Sequence, residues 1–213
     1  MIKFNYGRDH LTSSIALKLA RKEIKGTFHP DIQEKVAQSA KAVATISKGG
    51  RAVYGINTGF GPLCATRISA SDTRTLQENL LKSHAVGLGD PIPEEISKLM
   101  LILKIHALAQ GFSGIQWETL ERLAWMLEQD VTPMIPMQGS VGASGDLAPL
   151  SHLALPLIGL GKVHFSGEIT SAEKVLNQFG LEPIALGPKE GLSLINGTQF
   201  MAAFGVKVVD RLS

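Results

Sequence analysis

Apolar residues recur at helical spacing along most of the chain, separated by short breaks rich in Gly and Pro, so helices carry most of the predicted structure. Thr12 to Ser14 offer capping hydroxyls ahead of Ile15, Leu17, Leu19 and Ile24, and Gly26 supplies a stop. Pro30 opens a second helix carrying Ile32, Val36, Ala40, Val43 and Ile46, which ends at Gly49-Gly50. Asp72 is placed to cap a third, in which Leu76, Leu80 and His84 share a face. Pro93-Glu94-Glu95 starts a fourth, with acidic residues where the helix dipole favours them. From Ile96 to Leu108 that helix is apolar almost all round, the pattern of a helix buried inside a large assembly. A fifth is predicted from Ile115 to Gln129, with Trp117 and Trp125 on one face as packing residues.

Strand signals are few. Ala52–Ile56 is a short apolar run between Gly-rich stretches, and Ser166-Gly167 between Lys162–Phe165 and Glu168–Thr170 has the form of a two-residue hairpin turn. Glu190 to Ser213 has a helical pattern and stops without a capping Gly or Asn, as a helix cut through would. The fold class expected is mainly α, with small β elements and no internal repeat.

Composition narrows the setting. With 213 residues, 44% hydrophobic and 19% charged, the profile is that of a soluble globular protein. A formal charge of +2 with no Lys/Arg cluster gives no reason to expect nucleic acid as a partner. Cys64 stands alone, which rules out an internal disulfide framework and fits a reducing compartment. The N-terminus lacks the apolar region of a signal peptide. The most apolar runs, Leu99–Leu108 and Leu147–Leu160, are interrupted by Lys104, His106 and His152 and are too short for a bilayer. A cytoplasmic protein with no membrane partner is expected. The histidines show no metal-ligand spacing, so no metal is expected either. Met134 and Met137 read as core filler, and His152 as packing.

The chemistry lies in the stretch from Val131 to Asp146. Pro133 and Pro136 impose an extended path, and Gly139, Gly142 and Gly145 then permit unusual backbone conformations. Asp146 can cap the helix that follows, in which Pro149 is tolerated in the first turn and Pro156 forces a kink or an end. A phosphate loop would need Lys-Ser or Lys-Thr after its glycines, and Asp146-Leu147 stands there instead. A nucleophile elbow fails too, because Gly145 falls one position too early. Ala143-Ser144-Gly145 suits a third chemistry. In a tight bend the Gly145 nitrogen attacks the Ala143 carbonyl carbon, and loss of water closes a five-membered ring. Dehydration of Ser144 then leaves an exocyclic methylidene, an electrophile that no ordinary side chain supplies.

Gly139 through His152 (GSVGASGDLAPLSH) resembles the signature of the aromatic amino acid ammonia-lyases, over fourteen positions and with the reactive triplet at its centre. The similarity extends along the whole chain, although members of that family are more than twice as long. The resemblance implies a helical-bundle ammonia-lyase-like fold. It implies that Ala143-Ser144-Gly145 forms 4-methylidene-imidazol-5-one (MIO) autocatalytically, and that residues 1–213 are the N-terminal, MIO-bearing domain of a longer lyase. Tyr54, within Tyr54-Gly55-Ile56-Asn57-Thr58-Gly59-Phe60-Gly61, is assigned as the base for the substrate β-proton. Ser83-His84-Ala85-Val86-Gly87 matches the segment that selects the substrate side chain, and Ser-His-Ala points to the histidine-specific branch. Neutral imidazole both donates and accepts, so His84 can bond another imidazole. Asn196 matches the asparagine beside the cofactor; its place inside an otherwise apolar helix is unfavourable by propensity, which also points to a role.

The activity implied is non-oxidative elimination of ammonia from L-histidine to give urocanate, within a homotetramer whose sites combine several subunits. The carboxylate-binding arginine, a second tyrosine and an acidic residue are then expected outside these residues, leaving the 213-residue chain alone inactive or nearly so. A tyrosine or phenylalanine lyase, an aminomutase, and a non-catalytic helical interaction domain remain open alternatives.

Overall fold

A computed structural model of the chain describes residues 3–49, 51–59, 68, 70–142 and 145–212. Cys64, Ala143 and Ser144 lie outside the described residues, as do Gly50, Phe60, Gly61 and Ser213 from the expectations above.

The centre of the molecule is α4 (Glu94–Leu108). Its residues Ile96, Leu99, Met100, Leu101, Ile102, Ile105 and Leu108 are all buried, as its all-round apolar pattern demands. Around it pack α1 (Ser13–Ala20), α5 (Trp117–Glu128) and α9 (Gln199–Leu212). On the outside, Arg21 donates to Glu95 and to Asp210, each at 3.0 Å, and Lys207 pairs with the same two carboxylates. That network laces α1, α4 and α9 together. A second group of helices comprises α3 (Ala70–His84), α6 (Leu147–Ala154) and α8 (Glu190–Ile195), mutually packed. Two more, α2 (Pro30–Lys48) and α7 (Ala172–Gln178), complete the helical layer. The expectation of a mainly α fold with small β elements holds.

Local signals fixed many boundaries. Thr12 accepts from Ile15 N and caps α1, Pro30 stands at the start of α2, and Gly49 follows its last residue. Pro156 ends α6, which passes into a 3-10 turn over Leu155–Ile158. Ser166 and Gly167, at φ 52° and 82°, make the turn joining β6 (Lys162–Phe165) to β7 (Glu168–Ser171).

Other expectations are corrected. Gly26 does not stop a helix. It lies in β2 (Lys25–Phe28), which pairs parallel with β1 (Lys3–Tyr6). Ala52–Ile56 is a turn and not a strand, because the Asn57 side chain accepts from Val53 N and donates to Arg51 O, closing the backbone on itself. Asp72 falls inside the first turn of α3 instead of capping it. Met137 is 49% exposed and fills no core. The helix expected from Glu190 onward is two helices, broken at residues 196–198. By length and composition Glu190–Leu212, unlike the two shorter runs weighed from the sequence, is apolar enough to cross a membrane. Its break, the buried Glu190 and the ion-paired Lys207 and Asp210 are features of a packed helix pair.

Candidate active site

The central loop is held at both ends. On entry, β4 (Thr132–Pro133) pairs with β6, and β5 (Pro136–Gln138) pairs antiparallel with β3 (Leu88–Pro91). β3 follows the Ser83–Gly87 segment directly, so one small sheet joins the two stretches singled out from the sequence.

On exit, Gly145 is buried with φ +132°, a conformation that L side chains rarely adopt. A Cβ there would stand 2.7 Å from Gly197 O, so only glycine permits this approach. The next residue, Asp146, is fully buried, and its backbone N donates to the same Gly197 O at 2.8 Å. Its side chain does not cap α6, as expected from sequence. Oδ2 instead accepts from Phe200 N at 3.0 Å and Met201 N at 3.1 Å, capping α9, while Ser140 Oγ donates to Oδ1 at 2.6 Å. The carboxylate thus gathers the loop, its exit and the start of α9 into one unit. It satisfies two otherwise orphaned helix N–H groups with a charged acceptor.

Asn196 terminates α8 with extended backbone and is exposed. It is neither inside a helix nor buried, so the propensity argument lapses. Its carbonyl oxygen accepts from Lys104 Nζ at 3.0 Å. α8 is fixed at its other end by the buried Glu190, which accepts from Gln116 N and Gly187 N. Burial raises the pKa of that carboxyl. Gln77 Oε1 accepts from Gly191 N at 2.9 Å and ties α3 to α8.

His84 is the last residue of α3 and is half-buried. Its Nδ1 lies 2.9 Å from Leu80 O, an atom that can only accept, so Nδ1 donates and Nε2 is the nitrogen left for another partner. His152, set aside as packing, ties this segment to α6: its Nε2 accepts from Gly87 N at 3.0 Å. Burial pushes the His152 imidazole below its ordinary value, which keeps it neutral and able to accept. Tyr54 is 57% exposed and lines a surface depression with Ile46, Arg51 and Val53, near the end of α2. Among the described residues the hydrogen bonds of Asp146 reach Ser140, Gly197, Phe200 and Met201, and do not extend to Tyr54.

Sequence reasoning missed Asp146 as the cap of α9, and missed Lys104, Ser140 and His152. The one signal available was Lys104 itself, a cation set within the long apolar run Leu99–Leu108.

The aromatic amino acid lyase family model matches residues 11–213. The chain belongs to that family. Histidine ammonia-lyase of Streptococcus gordonii is 43% identical over 201 residues, which is 94% of this chain and 39% of the relative. Among solved structures, histidine ammonia-lyase from Trypanosoma cruzi superposes with a TM-score of 0.88 at 36% identity, covering 99% of this chain and 40% of that one. Tyrosine aminomutase from Streptomyces globisporus gives 0.88 at 34% identity, covering 99% and 39%. This member of the lyase family therefore spans about two-fifths of the length of the relatives it matches, and the helical-bundle fold of the family is the fold observed.

Proposed function

We propose that these residues are the N-terminal, MIO-bearing part of an ammonia-lyase that converts L-histidine to urocanate in the cytoplasm as a homo-oligomer, a tetramer by family resemblance. The observation that carries the reading is Gly145, held at φ +132° against Gly197 O with Asp146 pinned behind it. A loop immobilised on both sides of a small-residue triplet is what ring closure at Ala143-Ser144-Gly145 requires, since the cost of the bend is met by the fold. The residues present fit the group, and no metal is invoked. The methylidene-imidazolone, once formed, supplies an electrophilic carbon that makes the substrate amine a competent leaving group.

The chain's own residues supply part of the rest. Tyr54 accepts the substrate β-proton at its phenolic oxygen. His84 presents Nε2 as an acceptor for the N–H of a substrate imidazole, with Leu80 O fixing the tautomer. Asn196 offers an exposed amide to steady the substrate or the ring. α6 begins two residues beyond Gly145 with no side-chain cap, and its dipole stabilises negative charge developing nearby. Support for histidine comes from the Ser83-His84-Ala85 segment and from the similarity to histidine ammonia-lyases. The likeness to an aminomutase keeps one second reading in view, isomerisation of an aromatic amino acid.

Two measurements test the proposal. The intact mass should fall by two waters relative to the sequence; an unchanged mass would refute the cyclised triplet. For the full-length protein, ultraviolet absorbance should follow urocanate from histidine, and cinnamate, coumarate or a β-amino acid as the main product would overturn the assignment. The 213 residues alone should turn over histidine slowly or not at all, because the resemblance places further substrate-binding groups outside them; normal turnover would contradict this.

A further inference from the structure

Lys104 is 2% exposed, among the largest fully buried side chains of the molecule. It sits in α4 between Leu101, Ile105 and Leu108, all buried and apolar. No carboxylate pairs with it among the described residues, and burial pushes its ammonium down to about 7. An amine in such a place is costly where a methionine would pack at no such penalty. What it does have is a bond to Asn196 O at 3.0 Å, at the C-terminus of α8, where a cation also complements the helix dipole. The next carbonyl along, Gly197 O, accepts from Asp146 N and lies against Gly145. Two consecutive carbonyls of the α8–α9 link are thus held, one by the core and one by the reactive loop.

We propose that Lys104 is a positioning residue for the candidate active site, acting through the Asn196 carbonyl to fix the Asn196–Gly197 link against which Gly145 is packed. The proposal deepens the cyclised-triplet reading and rests on it for its catalytic consequence. Its structural consequence stands separately. With the Nζ–H···O bond in place, the Gly197 carbonyl is aimed at Asp146 N, and the Asn196 side chain is presented at a defined edge of the loop. Without it the link loses this hydrogen bond to α4 and the site loosens, although the core around position 104 becomes more apolar and packs at least as well.

The test compares full-length wild type with Lys104→Met and Lys104→Arg. Hydrogen exchange at the Asp146 amide, the donor to Gly197 O, should accelerate about tenfold or more in the Met variant and recover in the Arg variant, with exchange of the α4 amides no faster. Unchanged protection at Asp146 in the Met variant overturns the proposal, whether or not the triplet cyclises. On activity, the Met variant should lose about tenfold in kcat with a smaller change in KM, and Arg should restore most of it. Wild-type kcat and complete loss of two waters in the Met variant would also overturn it. Absence of that mass loss in the wild type refutes the cyclised triplet alone, and the exchange result still decides the role of Lys104. If the Met variant does not fold, the same exchange is read in Lys104→Gln, with the same two outcomes.

Discussion

Gly145 shows how narrowly a single residue can be determined. Its φ of +132° and the 2.7 Å separation of a notional Cβ from Gly197 O are both barred to alanine. Gly145→Ala is therefore expected to cost about 1–3 kcal/mol of stability and to abolish loss of the two waters, which calorimetry and intact mass would register. Lys104 gives a pH signature at the same scale. An unfolded lysine titrates at its ordinary value of 10.5, and burial pushes the folded one down to about 7. Between those values the unfolded chain binds the additional proton, so unfolding grows costlier as pH rises. The stability of wild type relative to Lys104→Met should increase from about pH 7 to about pH 10.5 and be level below that window; urea midpoints at three pH values would show a flat difference if the amine were not buried.

Elements were legible from the sequence where their signals were local. The cap of α1, the proline at the start of α2, the glycine after it, and the hairpin at Ser166-Gly167 depend on residues within four positions of one another. Elements whose partners are distant were not. β1 pairs with β2 and β3 with β5 through backbone groups that any sequence offers, so nothing in the side chains announced them. Asp146 marks the border between the two cases. Its acidic residue before an apolar run predicted a cap, yet the capped helix is α9 and not α6. Asp146→Ala should remove that cap and strand Ser140 Oγ, lowering stability by about 1–3 kcal/mol by chemical denaturation. Asp146→Asn, which keeps one acceptor oxygen, should lose less. Equal loss in both variants would argue that charge, and not hydrogen bonding, is what the site needs.

For the whole molecule, the outer face of α9 is the notable surface. Its inner side buries Phe200 and Ala203, but Val208 and Leu212 are 54% and 82% exposed, one turn apart. Apolar groups arranged this way favour association. We expect the 213-residue chain to sediment as more than a monomer, and Val208→Lys with Leu212→Lys to shift it toward the monomer without lowering its thermal midpoint; a wild-type monomer at high concentration would contradict this.

Sequence alone determined that the chain is mainly helical and that α4 is buried, and its resemblance to the aromatic amino acid ammonia-lyases singled out Ala143-Ser144-Gly145 for the role proposed above. The first two features rest on periodicity and capping, which act within a few residues. Only the tertiary structure decided that the long C-terminal pattern breaks at residues 196–198, that Asp146 reaches Phe200, and that Lys104 reaches Asn196. The reason is physical. Hydrogen bonds between residues 54 and 92 positions apart exist only once packing has brought them together, and short-range preference carries no information about that distance.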